Sequence, residues 1–329
     1  LIKAGVPIMR ALAGLQESAM NRAFAAVIQD LREALDSGRE LSQALARNPA
    51  VFGSFYVAMI RVGETTGRLE EVFLQLFHHL EFQKYMKDQV KAALRYPSFV
   101  VLAMAIALVI INIFVIPAFA KVFKGFNAEL PLMTRILIGF SDFTLAWWPA
   151  ILTLLVVAVF AFRLFVKTAD GRLAWDRFKL RIPIAGKIIR KATLARFARS
   201  FAMAARSGVP IVQGLSLTGQ VVENAWIEKK LEDMRMGVER GESVLRTAVA
   251  SGVFTPVVLQ MVMVGEESGS LDDMMLEIAD MYQREVEYEL KTLSAQIEPI
   301  LIVTLGIMVL ILALGVFLPM WDLGKAAIK

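Results

Sequence analysis

The chain repeats itself once, at a nearly constant separation. Gly63-Glu64-Thr65-Thr66-Gly67 returns as Gly265-Glu266-Glu267-Ser268-Gly269 at an offset of 202 residues, and Gly5-Val6-Pro7-Ile8 returns as Gly208-Val209-Pro210-Ile211 at an offset of 203. Two copies are too few for a solenoid, which stacks three or more repeats. The sequence therefore predicts a pseudo-symmetric pair, and we refer to residues 1–117 as the first repeat and to residues 167–319 as the second repeat.

Each repeat ends in an apolar run enclosed by two prolines, Pro97 and Pro117 in the first repeat and Pro299 and Pro319 in the second. A run of about 20 residues makes a helix about 30 Å long, which is the thickness of the hydrocarbon core of a bilayer. A third run, 145–162, has no charged residue and no counterpart elsewhere. We expect three transmembrane helices, with Pro97 and Pro299 in the first turn, where proline removes no backbone hydrogen bond.

Positive charge predicts the orientation of these helices. Residues 163–199 contain eleven Lys or Arg and two Asp, whereas residues 118–144 contain three basic residues. Because cytoplasmic loops are enriched in Lys and Arg, residues 1–97 and 163–296 are expected in the cytoplasm and the C-terminus in the periplasm. Topology thus explains the net charge of +5, and we expect no nucleic acid partner. The expected order is a cytoplasmic bundle (1–96), a transmembrane helix (97–117), a periplasmic loop (118–144), a transmembrane helix (145–166), a cytoplasmic bundle (167–298), a transmembrane helix (299–319) and a periplasmic tail (320–329).

Outside the apolar runs, apolar residues follow a helical spacing, and no stretch alternates with the period of a strand. We predict helices after Pro7, over 23–35, 41–46 and 54–62, and from Leu69 toward Pro97, with the same order in the second repeat. Gly38 is expected to end the second helix in the left-handed conformation. The predicted fold class is an all-α membrane protein with two repeated cytoplasmic antiparallel helical bundles and three transmembrane helices.

The two repeats differ at their beginnings. In the second repeat, a basic amphipathic helix predicted over 191–207 precedes the Gly-Val-Pro turn and places Leu194, Phe197 and Phe201 on one face. Residues 1–4 stand in that place in the first repeat. We expect the sequence to be N-terminally truncated, so that the first bundle lacks at least three turns of this helix.

The sequence offers no constellation of catalytic or metal-binding residues. There is no cysteine, and no Gly-Lys pair has the flanking residues of a phosphate-binding loop. His78 and His79 are adjacent, without the spacing of a helical metal pair, so we expect both on the surface. We therefore predict no catalytic residue, no cofactor and no metal site.

The duplicated Gly-Glu-x-x-Gly elements have two interpretations. In the structural one, glycine ends a helix and Thr66 or Ser268 caps the next. In the functional one, Glu64 and Glu266 present charge to a partner.

The basic segment 163–199 also has two interpretations. It is expected either to lie at the membrane surface and set the topology, or to contact an acidic partner. The candidate partner-binding residues are Glu64, Arg68, Glu266, Glu267, Lys187, Arg190 and Lys191.

One polar residue, Asn112, lies inside the first apolar run. Asparagine in a transmembrane helix commonly forms hydrogen bonds to another helix, and a role in a conduction path is the alternative. We expect Asn112 to contribute intramembrane packing.

The pattern Gly-Val-Pro, Gly-Glu-x-x-Gly-x-Leu and a membrane helix enclosed by prolines resembles the inner-membrane platform proteins of type IV pilus and type II secretion systems, the PilC/GspF-like family. Leu130-Pro131-x-x-Thr134-Arg135 and Ile182-Pro183-x-x-Gly186-Lys187 also match. The resemblance covers essentially the whole chain and implies six-helix cytoplasmic bundles, the first one truncated. It implies a bacterial inner-membrane scaffold that docks a hexameric assembly ATPase and couples its motion to insertion or extraction of pilin or pseudopilin. Other implied partners are inner-membrane assembly proteins, membrane lipids and a second copy of the chain.

Two other classes of protein remain to be weighed. An oligomeric transporter or channel component would need a polar path, and the three apolar runs offer one Asn and no charge. A membrane enzyme would need reactive residues at one depth, and we find no such set. The platform interpretation is favoured, without distinguishing a pilus machine from a secretion machine.

Overall fold

The computed structural model describes residues 5–118, 132–183 and 185–326, and these residues are helical or in short connections, with no strand among them. A π-helical turn, Ile111–Val115, follows the fifth helix. The α-helices in chain order are α1 (Ile8–Ser18), α2 (Arg22–Asp36), α3 (Leu41–Ala46), α4 (Ser54–Thr66), α5 (Leu69–Ile110), α6 (Leu132–Lys167), α7 (Ala169–Lys179), α8 (Ala185–Arg206), α9 (Ile211–Val221), α10 (Ala225–Glu239), α11 (Val244–Ser251), α12 (Pro256–Ser268) and α13 (Leu271–Ala326).

The prediction of an all-α fold is confirmed, and local sequence accounts for several helix ends. Asn21 precedes α2, and its side chain accepts hydrogen bonds from the N–H groups of Ala23 and Phe24, as expected of an N-cap. After α2 the chain turns through Gly38 at φ +80°, a conformation that glycine adopts without a steric penalty. This is the helix end that the sequence predicts.

Helices α9 to α13 follow in the same order as α1 to α5. The lengths agree closely, since α1 and α9 have 11 residues each, α2 and α10 have 15, and α4 and α12 have 13. Helix α8, with 22 residues, precedes α9 and has no counterpart in the described part of the first repeat.

The chain divides into two compact units. One comprises Leu1–Lys87 and Arg172–Glu287, and we call it the helical unit. The other comprises Asp88–Gly171 and Tyr288–Lys329 and contains the apolar runs. The helical parts of both repeats therefore belong to a single unit. Its core contains large side chains from both repeats that are almost completely buried, among them Phe55, Met59, Phe197, Leu231 and Tyr282.

Three helices are long and apolar enough to cross a membrane, within Leu69–Ala118, Ser141–Lys167 and Leu271–Leu310. Most of their large apolar side chains are exposed, as lipid-facing residues are. The expectation that Pro97 and Pro299 stand in the first turn of separate membrane helices is wrong. Pro97 lies inside α5, and Pro299 and Pro319 lie inside α13, because each helix continues from the preceding amphipathic segment into the apolar run. Pro117 lies just after the π-helical turn.

Candidate interaction surfaces of the helical unit

Glu64 lies on α4 and points its carboxylate at the beginning of α3. Its two oxygens accept hydrogen bonds from the main-chain N–H groups of Leu41 and Ser42, the latter at 3.0 Å. The first N–H groups of any helix have no partner within the helix. Glu40, the residue before α3, makes no side-chain capping bond. The cap of α3 is therefore supplied from α4, 22 or more residues away in the sequence.

Glu266 does the same in the second repeat. Its carboxylate accepts hydrogen bonds from the N–H groups of Val244 at 2.7 Å and Leu245 at 2.9 Å, at the beginning of α11. The glycines that follow, Gly67 and Gly269, both have φ +69° and end α4 and α12 in the left-handed conformation. This part of the structural interpretation is confirmed, and the duplicated glutamate has a duplicated structural role.

The expectation that Thr66 or Ser268 caps the next helix is wrong. Thr66 Oγ1 donates to the carbonyl oxygen of Val62 at 2.7 Å, and Ser268 Oγ donates to that of Val264 at 2.7 Å. Both hydroxyls thus bond backward within their own helix, as Ser and Thr do when they lie inside a helix.

The remaining acidic and basic candidates of these elements face solvent. Glu267 is exposed and is adjacent to the capping residue Glu266. Arg68 is exposed and pairs with the exposed Glu71 one turn along the chain. Such surface pairs contribute little to stability.

The three basic candidates on α8 have different environments. Lys187 is exposed. Arg190 donates hydrogen bonds to the carbonyl oxygens of Gly252 and Val253, which follow the last turn of α11, and so stabilises the C-terminus of that helix. Lys191 is partly buried and forms an ion pair of 2.8 Å with Glu285 of α13. Lys187 alone of the three is fully presented to solvent.

Other basic residues of segment 163–199 also have internal partners. Arg196 pairs with Glu223 at 2.6 Å, and Arg199 pairs with Asp280. Lys179 pairs with the buried Asp176, whose carboxylate also accepts the N–H of Ala225 at the first residue of α10. These basic residues of α8 therefore bond to later elements of the second repeat, and α7 is joined to α10 through Asp176.

A junction between the two repeats lies within the helical unit. Helix α4 packs against α9, and Ser54 Oγ donates to Gln220 Oε1 across the contact. Ser207 Oγ donates to Gln75 Oε1 at 2.9 Å, and the guanidinium of Arg199 lies 4.3 Å from the centre of the Phe82 ring. Residues from both repeats form one apolar cluster at this place, including Phe55, Met59, Leu76, Met203, Ala204 and Val209.

His79 is completely buried at this junction, so the expectation of a surface position is wrong for His79, whereas His78 is exposed. The His79 ring lies 5.4 Å from that of Phe55, and its Nε2 is 2.8 Å from Nε2 of Gln83. Burial, with the positive charges of Arg196 and Arg199, lowers the pKa of His79 to about 4. His79 lies before the apolar run that starts at Pro97, and it is neutral at physiological pH.

Sequence reasoning missed this junction, although the repeat contained a signal for it. His79 corresponds to Met281 at the offset of 202, and Phe82 corresponds to Arg284. Positions that change in polarity between two copies of one bundle indicate surfaces that the copies use differently.

An apolar groove of about 580 Å³ lies on the first repeat, between α1, α2, α3 and α5. In the second repeat, aromatic side chains of α8 fill the corresponding place. The Phe201 ring lies 3.3 Å from the position that a Cβ of Gly214 would take, and the rings of Phe197 and Phe254 are 6.1 Å apart. Gly214 and Phe254 correspond to Ala11 and Phe52, which line the groove of the first repeat.

Asn112 lies in the π-helical turn of the other unit. Its main-chain carbonyl oxygen accepts a hydrogen bond of 2.8 Å from Ser141 Oγ of α6, while its own Oδ1 is buried and finds no donor among the described residues. A π-helical turn displaces carbonyl groups from the usual helical pattern, which allows such a contact. The polar link between these two helices therefore uses the backbone of Asn112 and not the side-chain oxygen that the sequence suggested.

Within residues 5–118, 132–183 and 185–326, no group of three or more His, Asp or Glu side chains is placed to hold a metal ion. The charged residues described above cap helices, form ion pairs or face solvent.

Comparisons with known proteins agree with this description. The family model for the type II secretion system (T2SS), protein F, matches residues 1–117 and 197–319, which contain most of the two repeats. The type IV pilus assembly protein PilC of Thermus thermophilus is 35% identical over 98% of this chain and 80% of its own length. The PilC protein of Pseudomonas aeruginosa is 31% identical over 99% of this chain and 87% of its own length.

A secretion protein matches equally far along the chain. The type II secretion system protein F of Pseudomonas aeruginosa is 30% identical over 99% of this chain and 80% of its own length. These relatives are named for pilus assembly and for secretion. With its three apolar helices and its match to the family model over both repeats, the chain belongs to the family of type II secretion system protein F.

Proposed function

We propose that the chain is the inner-membrane platform of a type IV pilus or type II secretion machine. In this role it docks the cytoplasmic hexameric assembly ATPase and couples the motion of that ATPase to insertion or extraction of pilin or pseudopilin. The observation that carries the proposal is that the helical parts of both repeats form one compact unit in a chain with three apolar helices. A single compact unit attached to several membrane helices can pass a force from a cytoplasmic motor to subunits in the bilayer.

The proposed topology follows from charge. The helical unit lies in the cytoplasm and is the part that the ATPase reaches, and the C-terminus lies in the periplasm. The bilayer contains the apolar runs, where pilin helices and other inner-membrane assembly proteins are neighbours. Membrane lipids and a second copy of the chain complete the set of partners.

The exposed charged candidates form the proposed contact with the ATPase. Lys187 and Glu267 face solvent, and Arg68 makes only a surface pair. Glu64, Glu266 and Arg190 have internal bonds, so their replacement would disturb the fold and would not test binding. Exposed charges at the edge of an interface influence the rate and the salt dependence of association.

The test is co-purification of the solubilised chain with the assembly ATPase of its own machine. We expect Lys187→Glu and Glu267→Lys to weaken binding by about tenfold, or about 1.4 kcal/mol each, and added salt to reduce the difference. Lys229→Glu is the matched control, because Lys229 is an exposed lysine of the second repeat that is not a candidate. Equal binding by all variants would reject these residues as the contact, and no binding by the unaltered chain would reject the docking role.

We also propose that an amphipathic helix of the same kind as α8 covers the groove of the first repeat. Phe197 and Phe201 of α8 occupy the corresponding place in the second repeat. The exposed Leu74 and Phe77 correspond to Leu276 and the buried Ala279. A synthetic peptide of residues 185–206 should protect amides of α1 and α5 from hydrogen exchange, and a peptide with both phenylalanines replaced by Ser should not.

A further inference from the structure

Helices α4 and α12 hold equivalent positions in the two repeats but differ in what covers one face. On α4 this face consists of Phe55, Met59 and Val62, spaced as i, i+4 and i+7 along one side of the helix. Phe55 and Met59 are 1% and 0% exposed. They belong to the apolar cluster that includes Met203 of the second repeat, and Val62 packs against it. The second repeat therefore covers this face of the first.

On α12 the same three positions are Val257, Met261 and Val264, which we call the α12 stripe. Val257 is 55% exposed and Val264 is 47% exposed, while Met261 is half-buried. The inward side of the two helices is equally buried, with Ile60 at 2% and the corresponding Val262 at 0%. The difference lies in the outer face alone, and among the described residues no helix of the chain covers the α12 stripe.

We propose that a second copy of this chain covers the α12 stripe, with the two α12 helices packed antiparallel about a two-fold axis near Met261. The proposal deepens the homo-oligomer named under the proposed function and rests on it. Glu267 is used in both proposals, but the three stripe residues are used only here, so tests on the stripe separate this contact from ATPase docking. A two-fold contact uses the same patch on both partners, which an apolar stripe without charged members allows. The first repeat provides the precedent, because there the same face of the bundle binds other helices.

The charges at the ends of α12 favour the antiparallel arrangement. Glu267 lies in the last turn of α12, and Pro256 lies at its first residue. An antiparallel pair places Glu267 of one copy near the N-terminus of the other copy's helix, where free N–H groups and the helix dipole stabilise a negative charge. A parallel pair would bring the two Glu267 carboxylates together and would be disfavoured.

The absence of cysteine in the chain makes this geometry directly testable. Met261→Cys, oxidised in native membranes, should form a disulfide-linked dimer in high yield because Met261 lies near the axis. Val257→Cys should cross-link to Val264→Cys when differently tagged chains are co-expressed, and more weakly to itself. Val249→Cys is the control, since Val249 of α11 is also 55% exposed but lies outside the stripe, and it should remain monomeric on the gel.

Each outcome has a defined meaning when the mass of the unaltered chain in detergent is also measured. A dimer by mass with the cross-links above supports the proposal. A dimer by mass without a Met261→Cys cross-link would overturn the α12 contact and assign the dimer to another surface. A monomer by mass would overturn both the α12 contact and the homo-oligomer. Cross-linking of Met261→Cys to the ATPase or a pilin would replace the second copy by that partner. Val264→Asp should weaken the dimer at least tenfold, whereas Val249→Asp should leave it unchanged.

Discussion

Glu64 and Glu266, 202 residues apart in the sequence, cap the equivalent short helices of the two repeats with the same pair of carboxylate oxygens. Each joins the end of one helix of its bundle, α4 or α12, to the beginning of another, α3 or α11. A charged acceptor bonded to two main-chain N–H groups is stronger than a neutral cap. The duplicated Gly-Glu-x-x-Gly motif therefore encodes a bundle joint, in which glycine turns the chain and glutamate fixes the preceding short helix.

Replacing either glutamate should destabilise the helical unit. We expect Glu64→Ala or Glu266→Ala to lower the free energy of unfolding by about 2 kcal/mol, because two N–H groups at a helix N-terminus lose their acceptor. The free energy of unfolding of Glu266→Gln should lie between those of the unaltered chain and Glu266→Ala, since the amide keeps one acceptor oxygen. Chemical denaturation of the solubilised chain measures these differences. Glu267→Ala is the control, and a loss of stability there as large as that for Glu266→Ala would contradict the capping role.

Two glycines of these joints are required by close packing. A Cβ at Gly265 would stand 3.0 Å from Leu271 Cα, and one at Gly63 would stand 3.2 Å from Leu69 Cα, and main-chain atoms cannot easily move away. We expect Gly63→Ala and Gly265→Ala to cost about 1 to 3 kcal/mol of stability. Thermal unfolding monitored by circular dichroism is the measurement.

Gly14 of α1 supplies the matched comparison. A Cβ there would meet no atom within 4 Å, so Gly14→Ala should stabilise the chain by about 0.5 to 1 kcal/mol through helix propensity. The same sign of effect at Gly14 and Gly265 would show that packing at the joint is not the reason for its glycine.

The buried His79 should make stability depend on pH. Its pKa is about 4 in the folded chain, against about 6.5 in an unfolded chain, so protonation favours unfolding. The contribution is fully present above pH 6.5 and is lost as pH falls toward 4, with a slope of up to about 1.4 kcal/mol per pH unit. The variant His79→Met, which introduces the residue of the second repeat, should lack this slope. Parallel stability curves for the two proteins would contradict the assignment, and His78→Met should retain the slope of the unaltered chain.

Labelling of single cysteines tests the topology. In cells with a permeable outer membrane, an impermeant maleimide should label Lys124→Cys of the segment 118–144. It should label Lys187→Cys of α8 only after the inner membrane is opened, because the positive charges of 163–199 favour the cytoplasm. Labelling of Lys187→Cys but not of Lys124→Cys in intact inner membranes would place the second repeat outside and reverse the proposed orientation.

Local patterns in the sequence predicted much of the helical architecture. Helix α3 begins and ends at the predicted residues, 41 and 46, and Leu194, Phe197 and Phe201 share the buried face of α8. Helix α8 begins six residues earlier than predicted, because Ile188 is buried and Arg190 bonds to the end of α11. Periodicity and capping rules describe interactions within one helix. They therefore predicted helix ends and buried helix faces.

Contacts between distant segments could not be read in the same way. Glu64 bonds to the N–H of Leu41, and His79 is buried where arginines of the other repeat influence its pKa, so both roles depend on how helices pack. Pro97 lies inside a helix because α5 continues through it, although proline rules favour a helix start there.

The central claim is that this chain holds an assembly ATPase at the membrane, and flotation of proteoliposomes tests it most directly. Liposomes containing the purified chain, with its helical unit outward, are mixed with the hexameric ATPase of the same machine and floated through a density gradient. We expect the ATPase to float with the unaltered chain and much less with the doubly altered chain Lys187→Glu, Glu267→Lys. An ATPase that stays at the bottom of the gradient with correctly oriented, folded chain would contradict the account.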